Sequence, residues 1–294
     1  MRRHRKGRRI RYGKLLVFLF FVFIILALMI TAVVQGISYI RNTFSASEES
    51  KPSYYLLVGV DNQRSAEADS IVVASINRKQ KELALISIPG NTKISKDEKT
   101  NTLLKSTFAE GNIEETQSAV ENLLHIRINN YAVFDYESFS NLFSQVGDIS
   151  LYVEKMMSHD DETGNSDIWL HQGYQALNAQ SALQYVRYID SRDGEIGRIQ
   201  RGERLIKTMI QHLQNNLSIF NWGLAKYYWK AADTNISSSD AASLAYDLKD
   251  FPIENIHFII LPGEQQKIDK VDTWIANPVE IQKVVGLTLG QSEN

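Results

Sequence analysis

Short runs rich in Val, Ile and Leu alternate along this chain with amphipathic segments of helical period. That interleaving predicts an α/β domain with helices on both faces of a mixed sheet. An unbroken apolar stretch near the N-terminus, "LLVFLFFVFIILALMITAVV" (15–34), predicts one transmembrane helix ahead of the domain. With 294 residues, 44% of them hydrophobic, the chain has enough material for one domain of roughly 240 residues with a full core, or for two smaller ones.

The apolar stretch carries no charge, and only Thr31 in it is polar. As a helix rising about 1.5 Å per residue it reaches about 30 Å, the thickness of the bilayer's hydrocarbon. A buried core helix would show polar positions at helical period, and the apolar part of a cleaved signal peptide runs only about 7 to 15 residues. Arg2, Arg3, Arg5, Lys6, Arg8, Arg9, Arg11 and Lys14 precede it, with no acidic residue among the first fourteen. The positive-inside rule then places the N-terminus in the cytoplasm. The expected organisation is a basic stub (1–14), a signal-anchor helix (15–37), a polar linker containing Pro52 (38–53) and an extracytoplasmic domain (54–290) on a single-pass membrane protein. Such a basic tail can also bind nucleic acid, but it abuts a membrane span directly, so the membrane is the expected partner and nucleic acid is not.

The net charge of −2 hides an asymmetry. Without the eight N-terminal cations, 24 basic residues face 34 acidic ones, which leaves −10 on the exported part. A surface this acidic does not bind polyanions generally, so any anion must be gripped at a local site. Cysteine is absent, which removes disulfides, thiol nucleophiles and thiolate ligands together.

Three strands open the domain: "YYLLVGV" (54–60), "SIVVASIN" (70–77) and "ELALISIP" (82–89), the last two joined by a tight hairpin at "NRKQKE". "NIEETQSAVENLLHI" (112–126) is a helix capped by Asn112, with its early glutamates suited to the N-terminal end of the dipole. "YESFSNLFSQV" (136–146) is a helix stopped by Gly147, "DISLYVE" (148–154) a strand, and "NAQSALQYVRYI" (178–189) a helix starting near Asn178. A long helix is expected from near Arg198. Helices around "WGLAKYYWKAAD" and "SSDAASLAYDLKD", a strand "NIHFIIL" ended by Pro262-Gly263, and a last helix with Asn277 as cap and Pro278 in its first turn complete the chain.

Two constellations can carry chemistry. In "GVDNQRSAEADS" (59–70), Asp61 follows the first strand and Asp69 opens the second, with Arg64 between them. Carboxylates at such a sheet edge can hold a divalent cation against a phosphate oxygen, or they can simply make a turn. In "YVRYIDSRDGEIGRIQRGER" (185–204), Arg198, Arg201 and Arg204 follow one another at spacing three, so Arg198 and Arg201 share a helix face near free backbone N–H groups. The same segment also reads as a neutralised surface network, because Glu195 and Glu203 lie within it. The six histidines lack metal-ligand spacing, and neither a G-x-S-x-G nor a P-loop pattern occurs.

"LLVGVDNQR", "ADSIVVASIN", "LISIPGNT", "AVENLLHIRINNYAVFDYESFSNLFSQVGDISLYV", "ALNAQSALQYVRY" and "DGEIGRIQRGERL" occur in an order that resembles the LytR-CpsA-Psr family over about residues 54 to 210. The resemblance implies a three-layer α/β/α sandwich with a mixed central sheet, outside the membrane of a Gram-positive type envelope. It implies transfer of a polyprenyl pyrophosphate-linked glycopolymer, of teichoic acid or capsular polysaccharide type, onto peptidoglycan, with Mg2+ as probable cofactor. Carried over by position, Asp61 and Asp69 match an acidic pair for catalysis and metal. Arg64, Arg187, Arg198 and Arg201 match pyrophosphate ligands, Arg198 being catalytic as well.

Several positions depart from that pattern. Gly90 and Asn91 stand where an arginine-aspartate pair is usual, Ile189 where a second arginine is common, and Gly202 and Glu203 where glutamines usually follow. Thr102 and Leu104 replace a lysine and an asparagine. Arg192 and Arg204 are left without a role. Two readings therefore stand: an active phosphotransferase, or a catalytically impaired member that binds lipid-linked intermediates or partner proteins and regulates envelope assembly.

Overall fold

The computed structural model describes residues 52–61, 67–94, 102–161, 163–216, 222–230 and 232–288. The expected stub, signal-anchor helix and most of the linker lie outside the described residues, as does Arg64. Among the described residues no helix is long and apolar enough to cross a membrane.

β1 (Ser53–Val60), β2 (Ala68–Asn77) and β3 (Glu82–Ile88) form an antiparallel meander. β4 (Asn130–Phe134) lies parallel beside β1, and β10 (Ile256–Ile260) parallel beside β3. With the short β9 (Asp233–Thr234) they make a mixed six-stranded sheet of order β10-β3-β2-β1-β4-β9. The three expected opening strands are all present.

The two-residue period of these strands sorts their side chains onto two faces. Leu56, Val58, Val60, Ile71, Val73, Ile86 and Ile88 cluster with Val120 and Leu124 of α1 (Ile113–Leu124), Leu104 and Phe108 of a 3₁₀ helix (Leu104–Gly111), and Ile281 and Val285 of α7 (Pro278–Thr288). Ala74, Ile76, Leu83 and Leu85 cluster with Ile206 and Ile210 of α4 (Gly194–Asn216) and with Phe251. Helices thus cover both faces of the sheet.

A third cluster lies under a separate module. β5 (Ile149–Val153) pairs with β8 (Gly173–Leu177), and β6 (Met157–Asp160) with β7 (Ser166–Leu170), both antiparallel. Their inward residues Ile149, Leu151, Val153, Met157, Ile168 and Leu170 meet Phe143 and Val146 of α2 (Tyr136–Val146), Ala182 and Tyr185 of α3 (Ala179–Arg187), and Leu205 of α4. The expected strand at 148–154 therefore forms, but in this module and not in the main sheet. Leu205 joins the module's core while Ile206 joins the sheet's, so α4 fastens the two together. α5 (Trp222–Trp229), α6 (Ser238–Asp247) and the hairpin of β11 (Gly263–Ile268) with β12 (Val271–Ala276) complete the described chain.

Caps set the helix starts. Asn112, Asn178 and Ser237 each accept from a backbone N–H in the first turn, as expected for α1 and α3. Asp135 makes a full capping box: its carboxylate accepts from the Ser138 amide at 2.8 Å, and the Ser138 hydroxyl accepts from the Asp135 amide at 2.9 Å. The long helix departs from expectation by beginning at Gly194 instead of near Arg198. Gly194 N–H donates to the Asp190 carbonyl and Gly197 N–H to that of Asp193, so the preceding turn runs straight into the helix despite its two glycines. Arg198 consequently sits in the second turn, beyond the free amides.

Burial opposes the Asp135 charge, but its hydrogen bonds from Ser138 outweigh that and hold its pKa below the ordinary 3.8. The stability it adds is present above that ordinary value and is lost as pH falls through the lowered one. Asp135→Ala should cost about 1 kcal/mol at neutral pH. Urea melts of variant and parent should converge in acid as the parent's own carboxyl protonates.

Candidate functional site

β1, β3, β4 and β10 run the same way, so their carboxyl ends share one edge of the sheet, where α/β proteins build sites. Asp61 follows β1 and is buried. Asp135 caps α2 directly after β4, and the next residue, Tyr136, donates its hydroxyl to Asp61 Oδ2 at 2.5 Å. Arg187, at the end of α3, brings Nη2 to 3.6 Å from the same oxygen and lies over the Tyr136 ring at 4.7 Å. Its Nη2 also donates to Asp167 Oδ2 of β7 at 3.2 Å. One guanidinium thus stands between two carboxylates and against an aromatic face. Burial and the Asp61 acceptor push the Tyr136 phenol well above its usual range, so Tyr136 stays a proton donor.

Asp69 occupies a break in register. Gly59 pairs with Ser70 but Val60 pairs with Ala68, which makes Asp69 the extra residue of a β-bulge. The bulge takes the Asp69 carbonyl out of the ladder, and Arg198 donates to it through Nη2. Arg198 also holds Glu195, by Nε at 3.1 Å and Nη2 at 2.6 Å. Burial disfavours the Arg198 charge, yet Glu195 and then Asp69 raise its pKa. The Asp69 carboxyl is raised by burial; Arg198 opposes the rise, while Asp61 and Glu195 add to it.

Arg201 takes a different position. It is 1% exposed, donates to the Tyr188 carbonyl, lies over the Tyr188 ring at 5.3 Å, and pairs with Glu154 through Nη1 at 3.5 Å. Its Nε has no hydrogen-bond partner. Arg204 donates to Glu154 at 3.0 Å and to the Tyr185 hydroxyl at 2.9 Å, so both arginines serve one carboxylate at the end of β5. Lys155 holds Asp190 and Asp193. That lysine, with the Asp193 and Arg192 amides, draws the Asp190 carboxyl down to about 2. The crowd of charge at 185–204 is therefore neither a free phosphate cradle nor a loose surface network. It is a set of crossed pairs, with Arg187 and Arg198 beside Asp61 and Asp69.

The family model described as LytR_cpsA_psr matches residues 31–287, which is most of the chain. The chain belongs to the LytR_cpsA_psr family. A similar relative is the polyisoprenyl-teichoic acid–peptidoglycan teichoic acid transferase TagV of Bacillus subtilis (strain 168), 24% identical over 238 residues, 78% of this chain and 61% of that relative's length. The TagU transferase of Halalkalibacterium halodurans is 25% identical over 241 residues, 80% of this chain and 77% of its own. The crystal structure of B. subtilis TagV superposes with a TM-score of 0.68 at 22% identity, over 83% of this chain and 99% of that one, and so shares the fold.

The positions that depart from the LytR_cpsA_psr pattern have individual surroundings. Gly90 donates its amide to Glu195 at 3.4 Å, and a Cβ there would lie 3.3 Å from the Lys105 Cβ. The Lys105 stem thus lies beside Gly90, while its ammonium pairs with Glu67 at 2.6 Å. Asn91 ties the β11–β12 hairpin to the sheet through the Asp272 carbonyl at 3.0 Å, and Leu104 is fully buried in the core. Ile189 is 53% exposed. Gly202 leaves open space where a side chain would be. Glu203 is half-buried against β3 and accepts from the Ser87 hydroxyl at 3.2 Å.

Sequence reading missed Tyr136 and Asp167. Tyr136 had one signal, its place directly after a strand and a capping aspartate. Asp167 lies in a polar hairpin strand, and nothing local ties it to Arg187.

Burial raises the Glu203 pKa, against the lowering by Ser87. The folded state thus prefers the neutral acid and loses stability as pH rises through the ordinary 4.5. Glu203→Gln should melt roughly one to three degrees higher than the parent at pH 7. Calorimetry below the ordinary carboxylate range should find the two alike.

Proposed function

We propose that this protein transfers a glycopolymer phosphate from a polyprenyl pyrophosphate carrier to peptidoglycan at the outer face of the cell membrane. The observation that carries the reading is the placing of Arg187 and Arg198 beside Asp61 and Asp69 at the carboxyl edge of the sheet. The named activities of the TagV and TagU relatives support it.

In this reading Arg198 and Arg187 face the pyrophosphate and take charge that grows on its oxygens, the main need of phosphoryl transfer. Arg201 supports that pair from behind: Nη2 holds the Tyr188 carbonyl and Nη1 pairs with Glu154, so it steadies the turn that follows α3. Arg64, outside the described residues, is counted with the arginine set only by its place in the sequence after Asp61. An acceptor sugar hydroxyl attacks the phosphorus that bears the glycopolymer, the bond to the polyprenyl phosphate breaks, and polyprenyl phosphate leaves. The hydroxyl proton passes to a carboxylate of the acidic pair, Asp69 standing at the bulge beside Arg198.

Magnesium fits the donor set. Burial chiefly raises Asp69, and Asp61 and Glu195 add to the rise while Arg198 and Arg187 oppose it, so a cation would join two arginines in sharing the charge of the acidic pair and the phosphate. Among the described residues no three acidic or histidine side chains gather into a metal cage, which suits an ion that prefers one or two carboxylates plus phosphate. Asp61 and Asp69 would hold it, and it would neutralise phosphate charge. The span at 15–37 would keep the domain within reach of a lipid carrier, with teichoic acid or capsular polysaccharide as cargo. The anionic polymer, peptidoglycan and the membrane are the partners.

A second reading has its own support. With Gly90 and an exposed Ile189 in place of two arginines, the site has fewer donors for a pyrophosphate, as expected of a member that binds lipid-linked intermediates without turning them over. Arg198→Ala should lower transfer from a lipid-pyrophosphate donor to peptidoglycan about a hundredfold or more, with the fold checked by circular dichroism. Full activity in that variant would remove Arg198 from the chemistry. An inert parent that gains transfer on Gly90→Arg with Ile189→Arg would favour the second reading.

A further inference from the structure

The run from 168 to 186, "IWLHQGYQALNAQSALQYV", contains no Asp, Glu, Lys or Arg in a chain that is 22% charged. Two of its three Trp and Tyr side chains are also left open, Tyr185 being buried in the module's core. Trp169 is 56% exposed and Tyr174 86%, and Tyr174 stands directly opposite Tyr152 across the β5–β8 pair, ring centroids 5.0 Å apart. The Trp169 ring meets His171 edge-on at 6.1 Å.

Trp169 and Asp167 project from the same side of β7, one pleat or about 7 Å apart, because side chains two residues apart share a face. Asp167 holds Arg187, so the open indole lies one step along the strand from a site guanidinium. Below it Ile168 and Leu170 are buried, so Trp169 adds nothing to the core. Large aromatic surface left open beside a site is surface for a ligand to cover.

The chemistry of the patch selects the ligand. An anionic polymer or a phospholipid surface calls for Lys or Arg among the aromatics, and the run has none. Flat rings in a run that also carries the amides of Gln172, Gln175 and Gln184, each tied at one end to the module's backbone (the Glu154 and His171 carbonyls and the Trp169 amide), match a neutral pyranose. Such a sugar offers a C–H face for stacking and a hydroxyl rim for amides. We propose that Trp169, with His171 beside it and the Tyr152–Tyr174 pair on the same module, is a stacking platform for an uncharged saccharide chain. Resting on the transferase reading, that chain is the acceptor glycan, held so that its hydroxyl comes in past Arg187.

The test uses the full-length chain in nanodiscs and calorimetric titration with an uncharged β-1,4-linked N-acetylglucosamine tetramer. Trp169→Ala should weaken binding about tenfold and Trp169→Phe by no more than about threefold. Tyr174→Ala should also weaken it, and binding of a lipid-pyrophosphate donor should not change. An affinity unmoved by Trp169→Ala, or a parent that does not bind the tetramer, overturns the platform even where transfer is intact. Trp169-dependent binding of the isolated domain to phosphatidylglycerol vesicles, without tetramer binding, would assign the patch to the membrane and overturn it too. Tetramer binding through Trp169 in a protein with no transferase activity would uphold the platform and reject only the reaction.

Discussion

A guanidinium can sit at the dry end of a β-sheet only when a carboxylate or carbonyl shares its charge, and that requirement organises this molecule. Arg187 from α3 lies between Asp61 after β1 and Asp167 on β7. Arg198 from α4 reaches the Asp69 carbonyl on β2 and keeps Glu195 beside it. Arg201 and Arg204 share Glu154, and Lys155 holds Asp190 and Asp193. Each of these sets except the Arg198–Glu195 contact crosses from one element to another. The charge pairs therefore fasten the sheet, the long helix and the hairpin module in the same act that builds the site.

The pairing also decides which arginines can meet a ligand. Arg201 has its Nη atoms engaged and almost no exposure, so its contribution is largely to hold the Tyr188 turn in place. Arg187 and Arg198 keep part of their surface open and stand near Asp69, whose carboxyl is raised first by burial and then by Asp61 and Glu195. On the proposed reading a phosphate arriving there would meet cations already oriented, the form of electrostatic preorganisation that phosphoryl transfer uses. The Asp69 bulge contributes twice. It takes a carbonyl out of the ladder for Arg198, and it seats the carboxyl of the same residue at the site.

The elements that could be read from sequence were those whose signals are local. β1 to β3, α1, α2 and the last helix follow from period, caps and stops, all carried by neighbouring residues. β4 has only five residues, and β6, "MSHD", has one buried residue in four, so neither shows a pattern strong enough to name. The start of α4 was placed late because Gly194 and Gly197 favour a loop by propensity. The Asp190 and Asp193 carbonyls and the packing of Leu205 and Ile206 override that preference.

By itself the sequence determined the alternation of strands and helices, and it offered Asp61, Asp69 and the arginines of 185–204 as candidates for a site. It did so because residue type and spacing carry that information. Only the tertiary structure decided which arginine faces which carboxylate. Arg201 and Arg198 are three residues apart on one helix, yet one turns to Glu154 and the other to Asp69. It also brought Asp167 to Arg187, 20 residues away along the chain, and Tyr136 to Asp61, 75 away. Contacts at such separations follow from how the hairpin module docks beside the sheet, and no local rule of spacing contains them.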